Sequence, residues 1–353
     1  MKIHTLIGCF LLLLFLTATA VARESTDVIV MKNGDHLTGE IKGMSQGVLY
    51  ISMSYILGTS DVEWSAVDHI ESKQMFLVKT EDGSVYSGTL STAEAIKGRP
   101  MTIEVVEPVG MPIELERRRV VVMHQTSEHF WQRFNGQINT GLTYAKGNQS
   151  TQYNLSSNVA YPRERWQVSA AYNSTLSTST GVTATTRNQI GLAGEHLLRR
   201  SNWFYAGLVG LLQSSVQEIN LQSSVGGGIG RYLANSNRTK IYVVGGVGFQ
   251  RTQYSPVVGV SNPQDVATGL VAAGARLYQF NKTTLEVKAS VYPAMSQPGR
   301  VYSNLNASYY IKLSGNLSWN VSFYGSWDNQ PPPTFSGSDY GTSSGLSITF
   351  GNR

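Results

Sequence analysis

Beyond residue 130, apolar and polar residues alternate in one segment after another. Leu317, Trp319, Val321 and Phe323 are separated by Ser318, Asn320, Ser322 and Tyr324. Likewise Val301, Leu305, Ala307, Tyr309 and Ile311 oppose Tyr302, Asn304, Asn306, Ser308 and Tyr310. A period of two belongs to a β-strand, whose successive side chains leave opposite faces. Strands are predicted near Phe134 to Ala145, Thr151 to Tyr161, Arg165 to Leu176, Thr185 to Leu198, Trp203 to Gln217 and Leu221 to Leu233. Six more follow near Thr239 to Tyr254, Asp265 to Gln279, Thr283 to Tyr292, Arg300 to Leu313, Leu317 to Asp328 and Tyr340 to Phe350. Trp203 to Leu212 and Ile241 to Phe249 are apolar or Gly-rich on both faces, which marks a tightly packed stretch of wall.

The links between these segments alternate in length, as they do in a barrel with short turns on one side of a membrane and longer loops on the other. Short links are Pro162-Arg163-Glu164, Arg199 to Asn202, Ala234 to Arg238, Phe280-Asn281-Lys282 and Ser314-Gly315-Asn316. Longer ones are expected at Ser177 to Ala184, Ser255 to Gln264, Met295 to Gly299 and Asn329 to Asp339.

The preceding hundred residues have a different pattern, repeated at an interval of about 49 residues. Asn33-Gly34-Asp35-His36-Leu37-Thr38-Gly39 corresponds to Asp82-Gly83-Ser84-Val85-Tyr86-Ser87-Gly88. Asn-Gly and Asp-Gly accept the positive φ of a tight hairpin turn. Asp61-Val62-Glu63-Trp64 with Val67 and Ile70 likewise matches Ile113-Glu114-Leu115-Glu116 with Val120 and Val121. A small half-buried β module used twice is predicted.

Composition separates the two regions further. Residues 23–125 hold 10 Lys+Arg and 15 Asp+Glu, a net charge of -5, whereas residues 126–353 hold 17 and 8, a net charge of +9. The second region is more than twice as long with the same number of charges, so Ser, Thr, Asn, Gln, Gly and Tyr carry its polarity. Such polarity suits strands that show one face to lipid and the other to a hydrated interior.

Met1 to Ala22 reads as a secretory leader: Lys2, a nearly all-apolar Ile7 to Leu16, then small residues, with cleavage expected after Ala22. Leu6-Ile7-Gly8-Cys9 resembles a lipoprotein box, but the apolar stretch follows the cysteine instead of preceding it. Cys9 is the sole cysteine. A processed chain would therefore have no disulfide, no thiolate nucleophile and no Cys-ligated metal.

Candidate chemistry is sparse. Asp27, Asp35, Asp61, Glu63 and Asp68 follow no metal-loop spacing, and His36 and His69 have no second ligand at a useful offset; these residues read as solvated strand and turn positions. Arg117-Arg118-Arg119 reads as a solvated charge run. In the second region His196 is followed by Leu197-Leu198, without a nearby serine of the kind a membrane hydrolase requires. Asp328 and Asp339 are the only acids near one loop that a rim protease could use. Strand parity places Arg187, Glu195, Arg276, Glu286 and Lys288 on the inward face, lining a pore or neutralising one another as a plug. Arg163, Arg165, Arg199, Arg200, Arg238 and Lys240 are expected at the short turns, against lipid headgroups or the acidic module. Basic residues dispersed over strand ends do not form a nucleic-acid site.

Ser343, Gly345, Ile348 and Phe350 fit the polar-x-Gly-x-x-apolar-x-apolar pattern that resembles the signal read by the barrel assembly machinery. The repeated Asn-Gly-Asp-x-Leu-x-Gly hairpins, Trp131 and the run Asn139-Thr140-Gly141-Leu142-Thr143-Tyr144-Ala145-Lys146-Gly147-Asn148 together resemble the YdiY-like family of salt-induced outer membrane proteins. That resemblance implies an outer-membrane barrel of undefined activity and supplies no catalytic residues.

The sequence therefore predicts an all-β chain: a leader over 1–22, a periplasmic duplicated module over 23–125 and an outer-membrane barrel of about twelve antiparallel strands over 126–353. Expected partners are outer-membrane lipids, the assembly machinery and a periplasmic or peptidoglycan partner for residues 23–125, with no cofactor, metal or catalytic residue. The expected role is a small pore or a structural envelope component. An exported soluble β protein acting as a binding module, and an outer-membrane hydrolase, are the alternatives.

Overall fold

A computed structural model describes residues 27–93, 101–106, 111–126, 133–145, 150–163, 165–198, 201–256, 262–279, 282–333 and 335–351. The expected leader, Trp131, Lys146-Gly147-Asn148 and Arg199-Arg200 lie outside them. The strands form two separate sheets.

The first sheet holds nine strands: β1 (Asp27–Met31), β2 (His36–Ser45), β3 (Val48–Ser52), β4 (Thr59–Glu63), β5 (Val67–Thr80), β6 (Val85–Thr92), β7 (Thr102–Val106), β8 (Ile113–Glu116) and β9 (Val120–Gln125). Gly34 (φ 91°) and Gly83 (φ 81°) occupy the left-handed positions of the two tight turns, where a side chain is disfavoured. The duplication extends through the whole unit. Each copy is a four-strand meander ending in a one-turn 3-10 segment, Trp64–Ala66 in the first and Arg117–Arg119 in the second. Strand β9 pairs with both β2 and β5, so β1, β2, β9 and β5 close into a ring of four. Ile29, Ile41, Leu49, Ile70, Phe76 and Met123 fill it and are fully buried. The two 3-10 segments lock onto each other: the Trp64 indole N–H donates to the Arg117 carbonyl (3.0 Å), and Arg117 Nη1 lies 3.1, 2.5 and 2.7 Å from the carbonyls of Trp64, Ser65 and Val67.

The second sheet is a closed antiparallel barrel of twelve strands in sequence order. They are β10 (Asn135–Ala145), β11 (Ser150–Pro162), β12 (Trp166–Ser179), β13 (Val182–Leu197), β14 (Trp203–Ser214) and β15 (Ile219–Asn235). The circuit continues with β16 (Thr239–Tyr254), β17 (Gln264–Gln279), β18 (Thr283–Pro293), β19 (Val301–Ser314), β20 (Leu317–Asp328) and β21 (Ser338–Phe350). Pairing of β21 with β10, Ile348 opposite Ile138 and Gly345 opposite Gly141, completes it. At this seam a Cβ on Gly345 would run into the Thr140 carbonyl oxygen.

Along most of the strands, large apolar side chains point outward and polar ones inward, with Phe204, Val244, Val266 and Leu270 among the buried apolar exceptions. Val225, Ile229 and Leu233 on β15, Val243, Val247 and Phe249 on β16, and Trp319 and Val321 on β20 are all exposed on the outer wall. Asn139, Asn320, Ser347 and Thr349 are buried on the opposite parity. One expected loop is absent: Ser177 to Ala184 is strand except for the turn at Thr180-Gly181, because Gly181 (φ 76°) allows a tight reversal and the ladder continues to it.

Candidate functional site: the barrel lumen

Hydrogen bonds between strands that are not neighbours in the sheet must cross the interior, and they identify what fills it. Near the long-loop end, Arg187 on β13 donates to Asp339 on β21 (2.8 Å), and the same carboxylate oxygen accepts from Ser214 on β14 (2.8 Å). The Arg187 guanidinium also lies over the Tyr324 ring of β20, 5.3 Å from its centroid. A second knot surrounds Arg300, just ahead of β19. Its Nε and Nη2 grip both oxygens of Asp328 (3.1 and 2.7 Å), Nη1 donates to Gln264 (2.9 Å) and Gln297 (2.7 Å), and Nη2 also reaches the Tyr254 hydroxyl (3.2 Å). All five guanidinium donors are used. Above this knot the Pro-rich link between β20 and β21 folds over the mouth and sets the Phe335 ring 5.5 Å from Tyr254.

A different set of bonds lines the wall at the short-turn end. Arg276 on β17 stands directly opposite Glu286 on β18 and donates to one carboxylate oxygen (2.6 Å), while Lys288 holds the other (2.7 Å). Tyr232 on β15 reaches past β14 to donate to Glu195 on β13 (2.5 Å), and Lys240 lies over the Tyr232 ring (4.5 Å). Gln137 on β10 spans to the Tyr310 hydroxyl on β19 (3.0 Å). Phe204, Tyr232, Tyr242 and Val244 pack as an apolar patch on this wall. Gly230 on β15 and Gly274 on β17 make room for the rings of Phe204 and Tyr242.

The nine-stranded module is seated on the short-turn rim. Lys79 Nζ donates to the Arg163 carbonyl at the β11–β12 turn (3.4 Å), Asn202 of the β13–β14 turn to the Glu81 carbonyl (3.0 Å), and Asn237 of the β15–β16 turn to the Val120 carbonyl (2.8 Å). Asp61 forms an ion pair with Lys312, beside the β19–β20 turn. Contacts at four different turns place the module across the mouth. A cleft between module and rim is lined by Lys79, His124, Arg165, Trp166, Glu195 and Lys240. Burial there pushes the His124 imidazole down to about 4, with neighbouring Lys79 adding to the shift. At the Asp82-Gly83 turn, burial opposes ionisation of Asp82, but hydrogen bonds from Thr80 and Ser84 and the nearby Arg119 hold its carboxyl below the usual range.

Of the residues selected from sequence parity, Arg276, Glu286 and Lys288 form one cluster, Glu195 a second contact in the same layer, and Arg187 lies in the opposite layer. Ser343, Gly345, Ile348 and Phe350 all lie on β21, with Ile348 exposed on the outer face. Lys240 departs from its expected place among the turn cations: it is the second residue of β16, and its parity turns it onto Tyr232 inside the barrel. The Arg117-Arg118-Arg119 run is spent within the module, Arg117 on three carbonyls, Arg118 on Glu116 and Arg119 on Glu81 and Asp82. Arg300 was missed, although it has the inward parity of Tyr302 and Asn304 and was readable on that ground.

Asp328 and Asp339 are each held by an arginine, and His196 is exposed on the outer face between Trp166 and Tyr205 on the flanking strands. Among the described residues no three His, Cys, Asp or Glu side chains gather as a metal site.

A closed twelve-stranded antiparallel barrel with an apolar outer wall, a polar interior and short turns at one end has the architecture of an outer-membrane β-barrel. The chain belongs to the family described as protein of unknown function, DUF481, whose model matches residues 138–350, nearly the whole barrel. No curated protein matches it. Among solved structures, the translocator domain of the autotransporter NalP from Neisseria meningitidis is 14% identical, with 61% of this chain and 86% of that one covered, at a TM-score of 0.33. An anion-selective porin from Comamonas acidovorans is 10% identical over 80% of this chain and 98% of its own, at a TM-score of 0.29. Likenesses at these scores add nothing to what the strand pairing establishes.

Proposed function

We propose that this protein is a closed barrel of the bacterial outer membrane that anchors its β module at the periplasmic face, a structural envelope component and not a wide solute path. The observation that carries this reading is the Arg187–Asp339–Ser214 bridge, which links β13 and β14 to β21 across the lumen. The Arg276–Glu286–Lys288 cluster and the module across the short-turn mouth support it from the other end. Buried charges persist when they are paired and hydrogen-bonded, and these networks are close to neutral, so there is no uncompensated field to draw ions through. The apolar outer wall supports the membrane placement, because large exposed apolar surfaces on a chain of this size need a covering phase. Insertion would use the assembly machinery through β21. The narrower kinship with YdiY-like proteins, the periplasmic side of the module and the lack of catalysis belong to the same proposal.

Planar-bilayer recording tests it. Purified protein whose insertion is verified by heat-modifiable gel migration is expected to give no stable conductance step. Regular porin-sized steps from the intact chain would overturn the structural reading in favour of a pore.

A further inference from the structure

The module buries its large apolar side chains almost completely, yet the tip of the β3–β4 hairpin does the opposite. Tyr55, Ile56 and Leu57 are 68%, 44% and 105% exposed, three consecutive apolar side chains left open to the surroundings, with the Tyr55 hydroxyl donating to Met53 Sδ (3.3 Å). Elsewhere among its described residues only Met111 is comparably exposed among large apolar side chains. Folding does not require such a tip, since Met53, immediately before it, already closes the core.

Its position follows from the contacts of the same hairpin. At one end Gly47 lies against Asn237 in the β15–β16 turn. Further along, Asp61 is paired with Lys312 beside the β19–β20 turn. The hairpin therefore runs beneath the rim from one turn to another and then continues past Asp61 to its tip. Strand β4 runs two residues past Asp61 to its first residue, Thr59, and the turn that carries Leu57 lies beyond that, on the far side of the ion pair from Gly47. The wall at this level is apolar to its edge: Leu313, next in sequence to Lys312, is 55% exposed on the outer face.

We propose that Tyr55-Ile56-Leu57 inserts into the interfacial layer of the membrane leaflet surrounding the short-turn end of the barrel. This rests on the reading that the barrel spans a membrane. A tyrosine flanked by aliphatic residues has the chemistry of an interfacial anchor, with an apolar body and a polar tip. The insertion fixes the module's rotation at the one side of the rim where the hairpin overhangs, and it adds a lipid contact to four protein contacts.

The chain has a single cysteine, Cys9, so in a Cys9→Ser background Leu57→Cys gives one labelling site for an environment-sensitive fluorophore. In vesicles of phosphatidylethanolamine and phosphatidylglycerol, emission from position 57 is expected to shift to the blue and to be strongly quenched by spin-labelled phospholipid. Label at Thr180→Cys, on the opposite turn, is expected to remain in water. Heat-modifiable migration and protease protection of the barrel are read on the same vesicles. A water-exposed label at position 57 beside a protected barrel overturns the lipid anchor alone, whereas loss of barrel protection overturns the membrane reading on which it rests. Replacing Tyr55, Ile56 and Leu57 together with serine is expected to leave barrel migration unchanged while raising hydrogen exchange in β3 and β4. Unchanged exchange would also count against the anchor.

Discussion

Asp339 is 4% exposed and its charge is answered by Arg187 and Ser214 alone in the described contacts. Removing one partner of a buried pair leaves the other uncompensated, which costs about 3–5 kcal/mol, whereas apolar replacement of both is often close to neutral. Asp339→Ala is therefore expected to lower barrel stability by that order, and Arg187→Met with Asp339→Leu by much less. Urea titrations of the protein folded into vesicles measure both; equal losses would show that the bridge is not the cause. His124 makes a second residue-scale prediction. Its folded pKa of about 4 lies below the ordinary 6.5, so between these values the unfolded chain carries a proton that the folded module excludes. Stability is then full above about pH 6.5, falls as the pH drops through this window and levels off near 4, for a loss on the order of 3 kcal/mol. His124→Gln is expected to flatten the profile, read as the urea midpoint for proteolysis of the module at about pH 7 and about pH 4.5.

Among the elements, the barrel strands were the most legible. The positions that lipid and lumen would treat differently alternate along them, as in Leu317 to Tyr324, and that contrast is what a sequence records. Legibility fails where the contrast disappears. The ladder of β12 and β13 runs on past Ser177 opposite Thr185 to Ser179 opposite Val182, with a register shift between them, through residues that are small or polar except Val182 and read as a loop although they are strand. The lumen was legible only in part for another reason: parity tells which way Arg187 points but not that Asp339, 152 positions later, meets it. Arg117 was obscured by its neighbours, since three consecutive arginines look like a solvated run while one of them pins two 3-10 segments together. Arg117→Ala is expected to destabilise the module by about 2–3 kcal/mol through the carbonyls left unpaired, seen as faster hydrogen exchange in β5 and β9 with the barrel unaffected. In β21, Gly345 has a steric reason to be glycine that is separate from any assembly signal. Gly345→Val is expected to abolish heat-modifiable migration even when the chain is refolded into detergent without assembly factors. Normal refolding of that variant, with failure only in cells, would assign the glycine to recognition instead.

In the whole molecule, the module and barrel make their contacts mainly through backbone carbonyls, from Asn202, Asn237 and Lys79, with Asp61–Lys312 as the ion pair between them. The net charges of opposite sign, evident from composition, do not foretell the chemistry of this seam, which is mostly hydrogen bonding to carbonyls. Exposed ion pairs contribute little, about 0–1 kcal/mol, and amide-to-carbonyl bonds are independent of salt. High salt is accordingly expected to leave the module seated, with proteolysis of residues 27–125 in intact vesicles as the readout; release by salt alone would place the binding energy in long-range charge.

The seam between β10 and β21 joins strands at opposite ends of the barrel sequence. Contacts so distant in sequence form late, because the whole intervening chain must first be brought into place. Until they form, the twelve strands make an open sheet with two long edges of unpaired N–H and C=O groups, each a template for any strand it meets. The barrel is therefore most vulnerable to aggregation one pairing short of completion, and the step that most needs supervision in the cell is the meeting of its first and last strands.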